Sequence, residues 1–291
     1  MKKNYLIFLL ASMVIIFGSN FFVEQDVSQE KSSTNNNSIE SNSEYQVSED
    51  ALVVIEDIPE ISDAFQNESI KFSTPMFDGK ISKVGGYIFD VKLKKYSDSP
   101  NSNNPTRIME TGEFISNTII KAKDLGIPKE INFNYNNSII NLVTGTKQFD
   151  LTSKFGSVTI QKSFMFNSDS YGIEQQIVVY NKSNSNLVFR VFEESIGQVD
   201  AAEHNVMGYF LDEDMEKVDS PPSETEKIIG NIDWYGFSKK YFLASNILSK
   251  TDEKTLKYSK YSKSSIRSVL SYKTINLMPG ASYTTSSTIF L

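Results

Sequence analysis

From Ser69 to Leu291 the sequence reads as strand after strand, with apolar residues at alternate positions and no run of helical period. Ser157 to Phe166 (SVTIQKSFMF) alternates most clearly, through Val158, Ile160, Phe164 and Phe166. Lys80 to Tyr96 (KISKVGGYIFDVKLKKY) alternates in part, through Ile88, Phe89, Val91 and Leu93. Tyr171 to Tyr180 (YGIEQQIVVY) and Asn186 to Phe192 (NLVFRVF) read as a pair joined by the polar connection NKSNSN. Ser265 to Leu277 and Ser282 to Leu291 read as a last pair around Pro279-Gly280, a strong turn signal. Short strands at this spacing, without helices between them, predict an all-β fold: a large antiparallel β-sandwich.

A different pattern precedes it. Lys2 and Lys3 stand before an apolar run from Tyr5 to Val23, interrupted only by Ser12, Gly18, Ser19 and Asn20. As a helix such a run spans roughly 28 Å, close to the hydrocarbon thickness of a bilayer. A cleaved signal peptide shares the basic start and apolar middle. The length of the run, the lack of a small-x-small pair after it, and Phe21-Phe22 at its end favour a retained anchor over residues 1–23. The positive-inside rule then leaves Lys2 and Lys3 in the cytoplasm and everything after Glu24 outside. Next comes a segment rich in Ser, Asn, Glu and Gln (KSSTNNNSIESNSE). It lacks the apolar surface needed to offset its ordering entropy, which predicts a flexible tether over residues 24–68. Ala51 to Phe65 is either a docking strand or more tether, and Pro59 argues against a helix through it. The folded domain is then residues 69–291.

Composition narrows the chemistry. With no cysteine the chain forms no disulfide, thiolate metal site or lipobox-type anchor. A net charge of −7, with scattered lysines and no aromatic-interleaved basic stripe, excludes nucleic acid as a partner. The single histidine, His204 in AAEHN, would have to serve any Ser-His-Asp mechanism, with Asp200 or Glu203 as orienter. No nucleophile-elbow pattern accompanies it, so a structural or surface histidine is expected. The acidic run Leu211 to Asp219 (LDEDMEKVD) lacks the turn glycine of an EF-hand loop and reads as a solvated loop. The aromatic cluster Ile232 to Phe242 (IDWYGFSKKYF) is either a docking surface or the core of two adjacent strands, and its alternation favours core. No catalytic residue, cofactor or metal ligand is assigned, and no enzyme activity is expected.

Several segments, in order, resemble the periplasmic region of YidC-type membrane protein insertases. A basic N-terminus, a membrane helix and a polar tether lead into KISKVGGYIFDVKLKKY, whose Gly85, Gly86 and Tyr96 match that family's strand–diglycine–strand segment. SVTIQKSFMFNSDSYGIEQQIVVYNKSN supplies Lys162, Phe164, Tyr171 and Asn181. WYGFSKKYFLASNIL supplies Trp234, Tyr241 and Phe242, and INLMPGASYTTSSTIFL supplies Pro279 and Gly280. Two stretches depart from the pattern: Ile232 and Asp233 replace the glycines usual before the tryptophan, and Pro100 to Lys123 matches poorly.

The resemblance implies a mutarotase-like β-supersandwich in the periplasm, held to the bacterial inner membrane by residues 5–23. It implies contacts with Sec translocon components and nascent membrane proteins. Insertase activity in that family is attributed to five further transmembrane helices, so this chain is expected to be the anchor and periplasmic portion alone, assisting insertion by docking. The alternatives are an exported mutarotase-like sugar-binding or sugar-processing protein, which would need His204 in a cleft, and a generic surface-exposed binding domain.

Overall fold

The alternation becomes β-structure throughout a computed structural model, which describes residues 45–47, 68–99, 101–123, 125–136, 139–249 and 253–291. The expected anchor and most of the expected tether lie outside these residues; within the tether span Tyr45–Val47 is a strand. Among the described residues every helix or strand is a strand, and no helix is long and apolar enough to cross a membrane. All of them belong to one unit, residues 43–291.

The strands form two sheets. The larger contains β1 (Tyr45–Val47), β2 (Ser69–Ser73), β3 (Phe77–Ser82), β4 (Ile88–Ser97), β5 (Pro105–Arg107), β6 (Phe114–Ala122), β7 (Ile139–Asn141), β11 (Leu187–Gln198), β14 (Glu226–Gly230), β17 (Lys254–Ser262), β18 (Ser265–Ser271) and β19 (Ile275–Leu277). Its main path runs β14-β17-β18-β11-β6-β4-β3-β2-β7. The smaller contains β8 (Thr146–Phe155), β9 (Val158–Asn167), β10 (Gly172–Asn181), β12 (Asn205–Leu211), β13 (Asp214–Val218), β15 (Ile232–Lys239), β16 (Phe242–Leu248) and β20 (Ser282–Phe290), in the order β13-β12-β15-β16-β20-β10-β9-β8. Pairing is antiparallel except between β2 and β7.

The sheets pack through the alternate positions that the sequence marks as apolar. Val158, Ile160, Phe164 and Phe166 of β9 and Ile173, Ile177 and Val179 of β10 are buried, as are Phe189 and Val191 of β11. The ring of Phe189 meets Tyr283 of the smaller sheet edge-on at 5.6 Å. The broken alternation of β4 has a local cause. Asp90 adopts a φ of 50°, and the β3–β4 register shifts between Asp78 and Lys80. The extra residue is a bulge that turns the following side chains over.

Two expected hairpins are corrected. β10 pairs with β9 and β20 and lies in the smaller sheet, whereas β11 pairs with β6, β18 and β19 in the larger. The connection NKSNSN is therefore an arch between sheets. Likewise β18 and β19 belong to the larger sheet and β20 to the smaller, so Pro279-Gly280 turns a second arch. A polar loop between two apolar runs looks the same in sequence whether the runs pair or stack.

Asn181 fastens the arches together. Its backbone N–H donates to Ala281 O at 2.9 Å and its carbonyl accepts Gly280 N–H at 2.7 Å. Its side-chain Nδ2 donates to Ser185 O (2.8 Å), Leu277 O (2.9 Å) and Met278 O (3.2 Å). Gly280, with a φ of 77°, takes the left-handed turn conformation. Replacing Asn181 with Ala strands these carbonyls, and a lost buried partner costs about 1–3 kcal/mol. Urea unfolding of the Asn181→Ala variant is expected to show a stability loss at the upper end of that range, with an unchanged m-value.

Candidate functional site

Along β9 and β10 the inward-facing positions are apolar except for Lys162, Gln175 and Asn181. Lys162 and Gln175 meet a polar group on β6 and β11 at the centre of the sandwich. Lys162 is fully buried, and its Nζ donates to Ser116 O at 2.5 Å. Ser116 Oγ donates to Glu193 Oε2 at 2.5 Å, so one serine bridges a lysine of one sheet and a glutamate of the other. Ser116 holds a φ of 63°, costly for a residue with a side chain, and this conformation presents both of its oxygens to the pair. The Glu193 carboxyl also accepts Tyr272 OH at 2.5 Å, Gln175 Nε2 at 2.7 Å and Asn246 Nδ2 at 3.0 Å.

Burial governs the titration here. Desolvation pulls the Lys162 ammonium down to about 7, and Glu193 opposes it only in part. Burial, reinforced by Glu193, pushes the Tyr235 and Tyr272 hydroxyls up, so both remain protonated, and that of Tyr272 donates to Glu193.

On the opposite face of β11, Glu194 is equally buried and accepts Asn117 Nδ2 at 2.8 Å and the Nε of Arg267. The diglycine makes room for both halves of this arrangement. A Cβ on Gly85 (φ 67°) would stand 1.6 Å from Asn117 Oδ1. One on Gly86 (φ 63°) would stand 2.9 Å from Lys162 Cδ. The seam they create is sealed, since Lys162, Glu193 and Tyr235 have 0–1% exposure.

An accessible site is the open cleft of about 1240 Å³ at the ends of β4, β11 and the β15–β16 hairpin. Tyr96, Tyr241 and Phe242 line it. The Tyr96 ring lies 5.3 Å from Phe242, edge-on, and 6.5 Å from Tyr171. Tyr241, at the tip of the hairpin beside Lys240 (φ 49°), is 91% exposed. Glu113 secures the wall, accepting Gln198 N–H at 2.8 Å and pairing with Lys239 at 2.6 Å. Among the other cleft charges, Arg107 and Lys240 pair with Asp90 (3.4 Å) and Glu203 (3.5 Å), and Glu110 stands 3.9 Å from Lys239. The result is an aromatic surface in a charge-balanced rim, suited to a partner with both apolar and polar groups.

The residues singled out from sequence thus form three groups. Gly85, Gly86 and Lys162 build the seam, with Phe164 beside them, its ring 5.3 Å from Lys162 Nζ. Tyr96, Tyr241 and Phe242 build the aromatic wall, with Tyr171 packed against Tyr96, and Asn181, Pro279 and Gly280 build the arches. Trp234 stands apart, half-buried against Gly208. The aromatic run read as core is divided: Tyr235 and Phe237 are core, while Tyr241 is surface. His204 lies on an exposed turn with a φ of 56°, between two cleft-lining residues but not lining the cleft itself. Asp212 and Glu213 form the exposed two-residue turn between β12 and β13. The twin glutamates, Ser116, Asn117 and Tyr272 were not singled out from sequence.

Two stacked antiparallel sheets with an open end cleft define a mutarotase-like β-supersandwich. A galactose mutarotase related enzyme from Lactobacillus acidophilus superposes with a TM-score of 0.51 at 10% identity, over 76% of this chain and 96% of that one. A TPR-domain containing protein from Parabacteroides distasonis does so with a TM-score of 0.50 at 8% identity, over 75% of this chain and 46% of that one. At such identities the likeness is one of fold alone. Within that class, the match of residues 69–291 places the chain in the YidC periplasmic domain family, to which it belongs. Its relatives include the membrane protein insertase YidC of Syntrophus aciditrophicus, 23% identical over 219 residues, and that of Pelobacter propionicus, 22% identical over 245 residues. The alignments cover 70% and 80% of this chain but 40% and 45% of those proteins, so the chain spans less than half the length of these curated relatives.

Gly85→Ala combines a disallowed φ with a clash, each costing about 1–3 kcal/mol, and chemical unfolding is expected to register the sum. Lys162 gives a pH signature. Its folded pKa lies below its unfolded one, so between about pH 7 and the ordinary lysine range the unfolded chain binds more protons, and stability rises with pH. The stability of the wild type relative to Lys162→Met is therefore expected to climb from pH 7 to pH 9.5 and to be flat below pH 6. A flat difference across the whole range would refute a desolvated lysine.

Proposed function

We propose that this chain is the membrane-anchored, periplasmic portion of a YidC-type insertase and assists insertion and folding of inner-membrane proteins by docking, without chemistry of its own. Residues 1–23 serve as the anchor, with the N-terminus cytoplasmic, and the tether holds the sandwich near the membrane, raising its effective concentration there. The observation that carries the reading is the family match over residues 69–291, together with an open aromatic cleft whose charges are mostly paired. The partners that fit are Sec translocon components and nascent membrane proteins, both of which offer mixed apolar and polar segments.

The reading of a sugar-processing enzyme draws support from the fold likeness to a galactose mutarotase related enzyme. Against it, the histidine available for acid–base work points from an exposed turn, and the carboxylates Glu113 and Glu203 are already ion-paired with lysines. Polarimetry of freshly dissolved galactose is expected to give the same mutarotation rate with and without the protein.

A photo-crosslinking residue at Tyr241 tests docking directly. In cells, it is expected to capture a Sec translocon subunit or a radiolabelled nascent inner-membrane protein, whereas one at the exposed Asp169 is not. Equal capture at the two positions, or capture of neither class at Tyr241, would sink the proposal.

A further inference from the structure

The outward face of the larger sheet, opposite the one that packs on the smaller sheet, carries a second pocket of about 210 Å³. Arg190 of β11, Arg267 of β18, Lys257 of β17 and Lys227 of β14 line it, with Thr255 and Ser271 between them. In a chain of net charge −7, four cations from four strands converge on one small volume. The carboxylate on that face of β11, Glu194, is fully buried and already held by Arg267 and Asn117. Three cations remain without a carboxylate partner among the described residues.

Two features set this apart from an ordinary solvated face. Lys227 and Lys257 stand directly opposite each other in the β14–β17 ladder, where like charges destabilise a sheet. Arg190 is half-buried, and the loss of water lowers its pKa, so its charge is partly withdrawn from solvent with no carboxylate partner among the described residues. Its Nε donates to Tyr272 O at 2.6 Å and its guanidinium lies 5.8 Å from the Phe192 ring. That anchorage holds the guanidinium at the pocket, which Arg190 lines.

We propose that this pocket binds a phosphate-class oxyanion, held by the guanidinium edge of Arg190 and the ammonium groups of Lys227 and Lys257, with the Thr255 hydroxyl as a further donor. A phosphate offers three or four acceptor oxygens to donors arriving from several directions, whereas a carboxylate offers two in one plane. A fixed guanidinium fork beside two mobile point charges is the donor set that phosphate recognition uses. Inorganic phosphate and the headgroup of an anionic phospholipid share this chemistry. The inference stands on the outward face alone and is independent of the docking role given to the cleft.

Isothermal titration of the full chain in a neutral detergent at low salt, with inorganic phosphate and separately with glycerophosphoglycerol, tests it. Saturable binding of one equivalent is expected, weakened about tenfold by Lys227→Ala with Lys257→Ala and likewise by Arg190→Met, as lost charge-assisted contacts require. Both lysines are exposed, so the double variant should keep the wild-type melting temperature or exceed it by relieving the like-charge pair. Tighter binding of glycerophosphoglycerol assigns a lipid headgroup as the source; tighter binding of phosphate assigns the free anion. No saturable binding of either, or binding undiminished in both variants, overturns the site.

Discussion

The link from Lys162 through Ser116 to Glu193 is the constraint around which the sandwich is arranged. Two β-sheets stacked through aliphatic side chains have many acceptable offsets, because one Ile or Val packs nearly as well as the next. A buried lysine facing a buried glutamate does not. Shifting either strand by one residue moves its charge to the opposite face and leaves the partner buried alone, which costs about 3–5 kcal/mol. The arrangement is not cheap even when satisfied, as the depressed pKa of Lys162 indicates. Its contribution is to discriminate among offsets, and the four donors converging on Glu193 come from both sheets, so they hold only in the native one.

The rest of the scaffold accommodates this seam. Gly85 and Gly86 lack side chains where Asn117 and Lys162 need the space, and Ser116 accepts a left-handed backbone so that its carbonyl and hydroxyl reach both charges. At one end of the sandwich the arches are fastened by Asn181, whose amide satisfies carbonyls that would otherwise lie buried without donors. These are the same positions, Gly85, Gly86, Lys162 and Asn181, that carried the family resemblance. Most of that resemblance is thus a record of how two sheets are held together, and of its positions only Tyr96, Tyr241 and Phe242 line the cleft.

Strand existence was legible because a half-buried strand must alternate, and β9 shows that period directly. Strand partners were not. The segments NKSNSN and MPGA carry hairpin residues, yet both bridge sheets, because turn chemistry constrains the local chain and is silent about which ladder the next strand joins. The cleft was half-legible: the aromatic run was visible, but period-two reading assigns Tyr241 to a strand, and only the two-residue turn at Lys240 lifts it into solvent. Glu193 and Glu194 left a signal that went unused. In VFRVFEESIG two adjacent acids interrupt an otherwise apolar run. Successive residues point to opposite faces, so in a strand covered on both sides such a pair implies a buried partner on each.

β11 shows why that pair matters beyond stability. Its first residues pair with β19 beside the arches, Glu193 anchors the inner seam, and Glu194 anchors Arg267 on the outer face. Arg190 and Phe192 line the basic pocket, and the N–H of Gln198 is held by Glu113 in the cleft wall. One strand therefore runs past both the cleft and the basic pocket, and its two glutamates are fixed by buried hydrogen bonds. Cleft and pocket are thus built on a strand held by buried hydrogen bonds, whereas Tyr241 stands exposed at a hairpin tip.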